Sequence, residues 1–218
     1  MKSFERKIFF DEGTFYVLKD VYEPAEDTYL LAENLLVNED DVVLDLGTGC
    51  GILGILAAKK ARKVVAVDIN PHAVRCAKMN AKLNGVMEKM DIRLGNLFEV
   101  VKKKERFSLI LFNAPYVPTE KGEQKTWIGR SWAGGPTGRQ VVDEFISQAS
   151  SYLRKDGRIL LVQSTLSNVD ETLRRLEKEE LLAKVIAEKK VAFETIVVIQ
   201  AERMRRSARR LRKHNIAV

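Results

Sequence analysis

A chain of 218 residues, 45% hydrophobic and 31% charged, is long and apolar enough to bury a core, which excludes a disordered or fibrous protein. Two cysteines, Cys50 and Cys76, and two histidines, His72 and His214, exclude a disulfide scaffold and offer no ligand spacing, so no metal is expected. The net charge of +7 is uneven: residues 203–218 hold seven Lys or Arg and no acid, leaving 1–202 neutral overall, so the basic balance describes a tail on a neutral body. No apolar run approaches the ~20 residues of a membrane span, and Met1–Arg6 carries no apolar signal core. A cytoplasmic protein without membrane contact is expected.

Residues 8–18 have the pattern of a short hairpin turning at Asp11-Glu12-Gly13. Pro24, Glu26 and Asp27 open a helix running through Leu30, Leu31 and Leu35. Val42–Leu44 is a short apolar strand ending at Asp45, and a helix through Ile55 and Leu56 follows a glycine-rich turn. Val64–Val67 is a second strand ending at Asp68, and Asn70-Pro71 caps and opens a helix to about Leu83. Asp91–Leu94 and Phe107–Phe112 are the third and fourth strands, the latter bounded by Asn113. Residues 113–138 form a loop long enough to suggest function. A helix over 139–153, a strand over 158–163, a helix capped by Asn168 and two closely joined strands near 183–189 and 194–201 complete the chain. Alternating strands and helices predict an α/β fold with a mostly parallel, seven-stranded, Rossmann-like sheet ending in an antiparallel hairpin. The domain boundaries are 1–202, with 1–40 as an N-terminal hairpin and helix extension, and a basic tail at 203–218.

The segment Asp45-Leu46-Gly47-Thr48-Gly49-Cys50-Gly51 joins a strand to a helix. Glycines there let the backbone turn sharply and approach a ligand. Asp68, 19 residues after Gly49, stands where a carboxylate can accept from both hydroxyls of a ribose. Gly49-x-Gly51-x-x-Gly54 also fits the dinucleotide fingerprint by letter. Three features favour S-adenosylmethionine over a dinucleotide. Asp45 brings negative charge near the turn, which suits an ammonium or sulfonium and opposes a pyrophosphate. No second substrate domain is present, and the terminal hairpin is foreign to ordinary dinucleotide folds. A P-loop is excluded because no Gly-Lys-Ser/Thr follows.

Phe112-Asn113-Ala114-Pro115-Tyr116 follows the fourth strand directly, where ligands sit in open α/β sheets. An Asn side-chain oxygen and the adjacent carbonyl can accept two hydrogen bonds from one NH2 group. Pro115 stiffens the turn, and Tyr116 offers a flat face for stacking. A polar turn with an aromatic anchor is the plainer alternative. With Val21–Thr28, the Asp45–Gly51 turn and Ser131-Trp132-Ala133-Gly134-Gly135-Pro136-Thr137-Gly138-Arg139, the chain resembles the class I methyltransferases acting on planar nitrogens. More closely, it resembles the archaeal and eukaryotic branch of HemK-type protein (glutamine-N5) methyltransferases, over residues 20 to 201.

The resemblance implies methyl transfer from S-adenosyl-L-methionine to the side-chain amide of the glutamine in the Gly-Gly-Gln loop of a class I peptide release factor, in translation termination. It implies Asn113, Ala114, Pro115 and Tyr116 as the catalytic turn. It implies cofactor contacts from Thr28, Asp45, Gly47, Thr48, Gly49, Asp68, Ile69, Asn96, Leu97 and Asn113. It also implies a heterodimer with a small zinc-binding methyltransferase activator that adds a strand to the sheet edge, with Asp91–Leu94 as that edge and Met87 and Met90 as apolar contacts beside it. No strong base is needed, in keeping with the absence of a histidine near these motifs. Two positions depart from the family pattern: Ala114 stands for the first proline of Asn-Pro-Pro-Tyr, and Asn96 for a common Asp. The alternatives are a nucleic-acid amino methyltransferase clamping a flipped base on Tyr116, a cofactor-binding scaffold with weak turnover, and a nicotinamide dinucleotide binder. Trp127 and Trp132 either shape a substrate channel or pack the long loop, and Arg139 caps or pairs with an acid. The basic tail is a solvated helix, an RNA contact or an extension without function.

Overall fold

The computed structural model describes residues 4–120 and 122–203. β1 (Phe4–Phe10) and β2 (Gly13–Leu18) form a separate two-stranded hairpin, turned through Asp11 and Glu12. There follow α1 (Glu26–Glu33), β3 (Val42–Leu46), α2 (Ile52–Lys60), β4 (Lys63–Asp68), α3 (Pro71–Leu83), β5 (Met90–Leu94) and β6 (Phe107–Asn113). The second half comprises α4 (Trp127–Trp132), α5 (Gln140–Tyr152), β7 (Leu153–Ser164), α6 (Val169–Lys178), β8 (Leu181–Lys190) and β9 (Thr195–Arg203).

Seven strands form one sheet in the order β5-β4-β3-β6-β7-β9-β8. The first five are parallel, and β9 runs antiparallel to β7 and β8, as expected from the sequence. Side chains alternate across a strand, which sorts the core into two layers. Val43, Ala66, Leu109 and Leu111 face the layer holding Leu31, Ile55 and Ala77 of α1, α2 and α3. Leu44, Leu46, Ile110 and Phe112 face the opposite layer, with Phe145 of α5 and Leu176 of α6. The chain runs from β3 out to β5, then returns to the other side of β3 at β6. That reversal opens a crevice at the carboxyl ends of β3 and β6.

Local signals explain the helix starts. Asn70 Oδ1 accepts from the His72 N–H at 2.9 Å ahead of Pro71, and Asn168 Oδ1 accepts from the Glu171 N–H at 3.1 Å. The hairpin is held by α3: Asn80 and Asn84 exchange hydrogen bonds with the backbones of Tyr16 and Thr14 at 2.8–3.2 Å.

Several details differ from the sequence reading: β1 begins at Phe4 rather than 8, and α1 stops at Glu33, short of Leu35. α4 lies inside the long loop, started by Thr126 Oγ1 accepting from the Gly129 N–H at 2.9 Å. β7 begins at Leu153 rather than 158, because Leu153 pairs with Phe107 across a register shift. β5 is indeed a sheet edge, but Met90 is not available to a partner there: it is 6% exposed and packs its methyl toward Gly54. Arg203 closes β9 opposite Leu181, and the rest of the basic tail lies outside the described residues. Among the described residues, no helix is long and apolar enough to cross a membrane.

Candidate active site

A cavity of about 670 Å³ opens at the reversal point. Its size falls in the range of about 300–1,000 Å³ usual for small-molecule sites. Thr28, Gly47, Thr48, Gly49, Asp68, Ile69, Asn96, Leu97 and the whole Asn113–Tyr116 turn line it, drawn from five separate stretches of sequence. Gly47 and Gly49 both have positive φ (63° and 57°), and a Cβ on Gly49 would find no atom nearer than 4.0 Å, so the turn presents bare backbone to the cavity. Leu97, after β5, is also left-handed at φ 43°, a conformation that costs a non-glycine residue energy.

Asp68 is 9% exposed at the end of β4. Its Oδ2 accepts from the Gly49 N–H and its Oδ1 from the Asn70 N–H, each at 2.8 Å. Burial pushes its carboxyl above the ordinary range, and these amides partly offset that. Of the residues expected at the site, Asp45 alone does not line the cavity. Alternation with Leu44 and Leu46 aims it at α2, where a Cβ on Gly54 would lie 2.7 Å from its Oδ2. The sequence reading put this charge beside the ligand; it sits one layer below. Asp45 Oδ2 accepts from the Thr48 hydroxyl at 2.6 Å and so braces the turn, while its Oδ1 is buried without a partner. Burial pushes its carboxyl up to about 7.

The same alternation brings Asn113 to the α1 side of the sheet. There its Nδ2 donates to Thr28 Oγ1 at 3.1 Å, and its Oδ1 is buried with no partner. An amide oxygen left unpaired in a cavity wall is a costly feature unless something binds it. Thr28 Oγ1 in turn donates to Asp27 Oδ1 at 3.1 Å, and the Tyr22 hydroxyl donates to the same carboxylate at 3.1–3.2 Å. Burial first, and Asp27 second, raise the Tyr22 phenol above its ordinary value. Burial also raises the Tyr116 phenol, with the charges of Asp27, Glu194 and Glu26 adding to it.

Tyr22, Asp27 and Glu194 line the cavity and were not singled out from the sequence. Tyr22 and Asp27 stand in the Val21–Thr28 segment, so adjacency to Thr28 was an available signal. Glu194 had none: it reaches the site from the β8–β9 connection, and its Oε2 is buried without a partner. Trp127 and Trp132 both line the cavity, and Arg130 stacks on the Trp127 ring at 5.0 Å. Arg139 is 8% exposed and donates to the Ser167 carbonyl, the Thr172 hydroxyl and Asp143 at 2.6–2.9 Å, a fastening role of the kind expected.

Residues 20–129 match the Methyltransferase small domain. A Methanocaldococcus jannaschii protein, provisionally named a protein N5-glutamine methyltransferase, is 42% identical over 85% of this chain and 93% of its own length. The chain belongs to the HemK-type methyltransferase family. Human methyltransferase HEMK2 is 31% identical over 83% of this methyltransferase and 89% of its own length. The solved E. cuniculi Mtq2–Trm112 complex, responsible for methylating the translation termination factor eRF1, superposes with a TM-score of 0.67 at 26% identity, covering 85% of this chain and 99% of that one.

Proposed function

We propose that this methyltransferase uses S-adenosylmethionine to methylate the side-chain amide nitrogen of the glutamine in the Gly-Gly-Gln loop of a class I peptide release factor. The observation that carries this reading is the unpaired, buried Asn113 Oδ1 in the wall of the cavity. A primary amide has two N–H groups in one plane. Asn113 Oδ1 can take one and the Ala114 carbonyl the other, and the ring of Tyr116 covers the face of the amide plane. The nitrogen lone pair of an amide is delocalised, so holding the NH2 group at two acceptors is how the protein turns that pair toward an electrophile. As the nitrogen gains a substituent its remaining protons become acidic, and no histidine among the described residues lines the cavity to act as a strong base.

The residues present fit the cofactor. Asp68 offers a carboxylate for ribose hydroxyls, the 95–97 turn lies where an adenine edge would, and the bare Gly47–Gly49 backbone with Thr28 offers room for the amino-acid end. When bound, S-adenosylmethionine supplies an electrophilic methyl group. Ala114 keeps the backbone carbonyl that the family's proline carries, so activity is expected despite the departure. The edge strand β5 is the place for a small zinc-binding activator to add a strand.

A transfer assay with labelled S-adenosylmethionine tests the reading. Its substrates are a release factor, the same protein with Gln→Ala in the Gly-Gly-Gln loop, and total RNA, each with and without the activator. Label on the intact release factor only, absent with the Asn113→Ala enzyme, is the expected result. Label on RNA alone would move the function to nucleic acid, and cofactor binding without transfer would leave only a scaffold.

A further inference from the structure

We propose that Asp27 sets the polarity of the acceptor site: through the Thr28 hydroxyl, it holds the Asn113 amide with its oxygen, rather than its NH2, facing the cavity. The inference rests on the glutamine reading above, because it explains how that site presents an acceptor to an incoming amide.

An Asn side chain can be rotated end for end with little change in shape, so packing alone does not choose which atom faces the ligand. Here the choice is made by counting donors. A carboxylate has no hydrogen to give. Asp27 Oδ1 accepts from the Thr28 N–H at 2.6 Å and from the Thr28 hydroxyl at 3.1 Å, and the Tyr22 hydroxyl donates to both carboxylate oxygens at 3.1–3.2 Å. The Thr28 hydroxyl owns one hydrogen and spends it on Asp27. Only lone pairs remain on Thr28 Oγ1 for Asn113, so the Asn113 atom 3.1 Å away must be the donor Nδ2. Asn113 Oδ1 is then the atom left buried without a partner.

Asp27 is 7% exposed and Thr28 4%, so little of this chain of bonds is open to water. Without the carboxylate, the Thr28 hydroxyl is free to donate to Asn113 Oδ1 instead. The amide would then present NH2 to the substrate's NH2, donor against donor. Asp27 and Tyr22 are therefore positioning residues, acting through Thr28 on Asn113.

Four variants test this. Asp27→Ala and Thr28→Val should each lower kcat by about 10²-fold, the usual cost of losing one oriented polar contact at a reacting group. Asp27→Asn, whose oxygen can still accept from Thr28, should restore part of the first loss, and Thr28→Ser most of the second. Binding of S-adenosylmethionine, measured by calorimetry, should be unchanged in Asp27→Ala. The second readout needs no turnover: the side-chain NH2 resonances of Asn113, assigned with Asn113→Ala. In the wild type one of these protons should exchange slowly with water, and in Asp27→Ala that protection should vanish. Equal kcat in Asp27→Ala and wild type, or identical Asn113 NH2 exchange in the two, would overturn the proposal. If the wild type methylates no release factor, the glutamine reading fails, and the exchange measurement still decides the polarity claim by itself.

Discussion

Asp45 and Asp68 lie near the carboxyl ends of the adjacent parallel strands β3 and β4, yet their surroundings give them different work. Asp68 faces the cavity with both oxygens held by backbone amides, so it is presented for binding. Asp45 lies beneath the turn, fully buried, with its carboxyl pushed up to about 7. A carboxyl whose folded pKa is raised favours the fold at low pH, where it is protonated in both states. That contribution is lost as pH climbs through the folded value. Thermal melts of the wild type and Asp45→Asn should therefore diverge with pH. Between about pH 5 and about pH 8 the wild type should lose stability relative to Asp45→Asn, and the difference should level off above that window. A gap that stays flat, or moves the other way, would mean that Asp45 is already ionised in the fold at the lower pH.

Among the elements, the loop between β6 and α5 carries α4 and is closely fitted. Its backbone is laced together just after the Asn113–Tyr116 turn: the Val117 N–H donates to the Trp132 carbonyl at 3.0 Å, the Gly134 N–H to the Val117 carbonyl at 2.8 Å, and the Thr119 N–H to the Gly135 carbonyl at 2.9 Å. Gly138 has φ 71°, and a Cβ there would collide with the Tyr116 carbonyl oxygen and meet Ser167 Cβ at 2.9 Å. Gly85 has a similar φ of 68° but nothing within 4 Å of a Cβ. Gly85→Ala should thus cost about 1 kcal/mol, the backbone penalty alone, and Gly138→Ala about 2–4 kcal/mol in denaturant unfolding, with activity lost as well. The same contrast explains what could be read from the chain beforehand. Strands, and helices opened by Asn70-Pro71 and Asn168, follow from local chemistry and period, so their positions were legible. α4 was not, because Trp-Ile-Gly-Arg-Ser-Trp is too short to show a period. The cavity-lining residues carried by turns next to strands were legible too. Glu194 was not, because only the folding of the β8–β9 hairpin brings it to the cavity, and the inward turn of Asp45 depends on space left by Gly54.

At the scale of the molecule, one buried charge ties three neighbouring strands together. Asp41, just before β3, accepts from Ser108 of β6 at 2.6 Å and from Arg158 of β7 at 2.8 Å. Burial works against its charge, but Arg158, the Asn38 N–H and Ser108 together hold its carboxyl below the usual range. Arg158→Ala would leave that carboxylate buried and unpaired, and should cost about 3 kcal/mol or more in equilibrium unfolding at neutral pH. Because the folded pKa is lowered, this pair stabilises the fold above the ordinary carboxylate range and is lost as pH falls through the folded value, so the deficit of Arg158→Ala should shrink in acid. The sheet held in this way gathers the five cavity-lining segments around the unpaired Asn113 Oδ1, and the function turns on what that oxygen binds. Fragmentation mass spectrometry of a release factor incubated with the enzyme, the proposed activator and S-adenosylmethionine tests this most directly. One methyl group on the side-chain amide of the Gly-Gly-Gln glutamine, absent with Asn113→Ala, is the predicted result; an unmodified glutamine beside methylated RNA, or a methyl group on another residue, would contradict it.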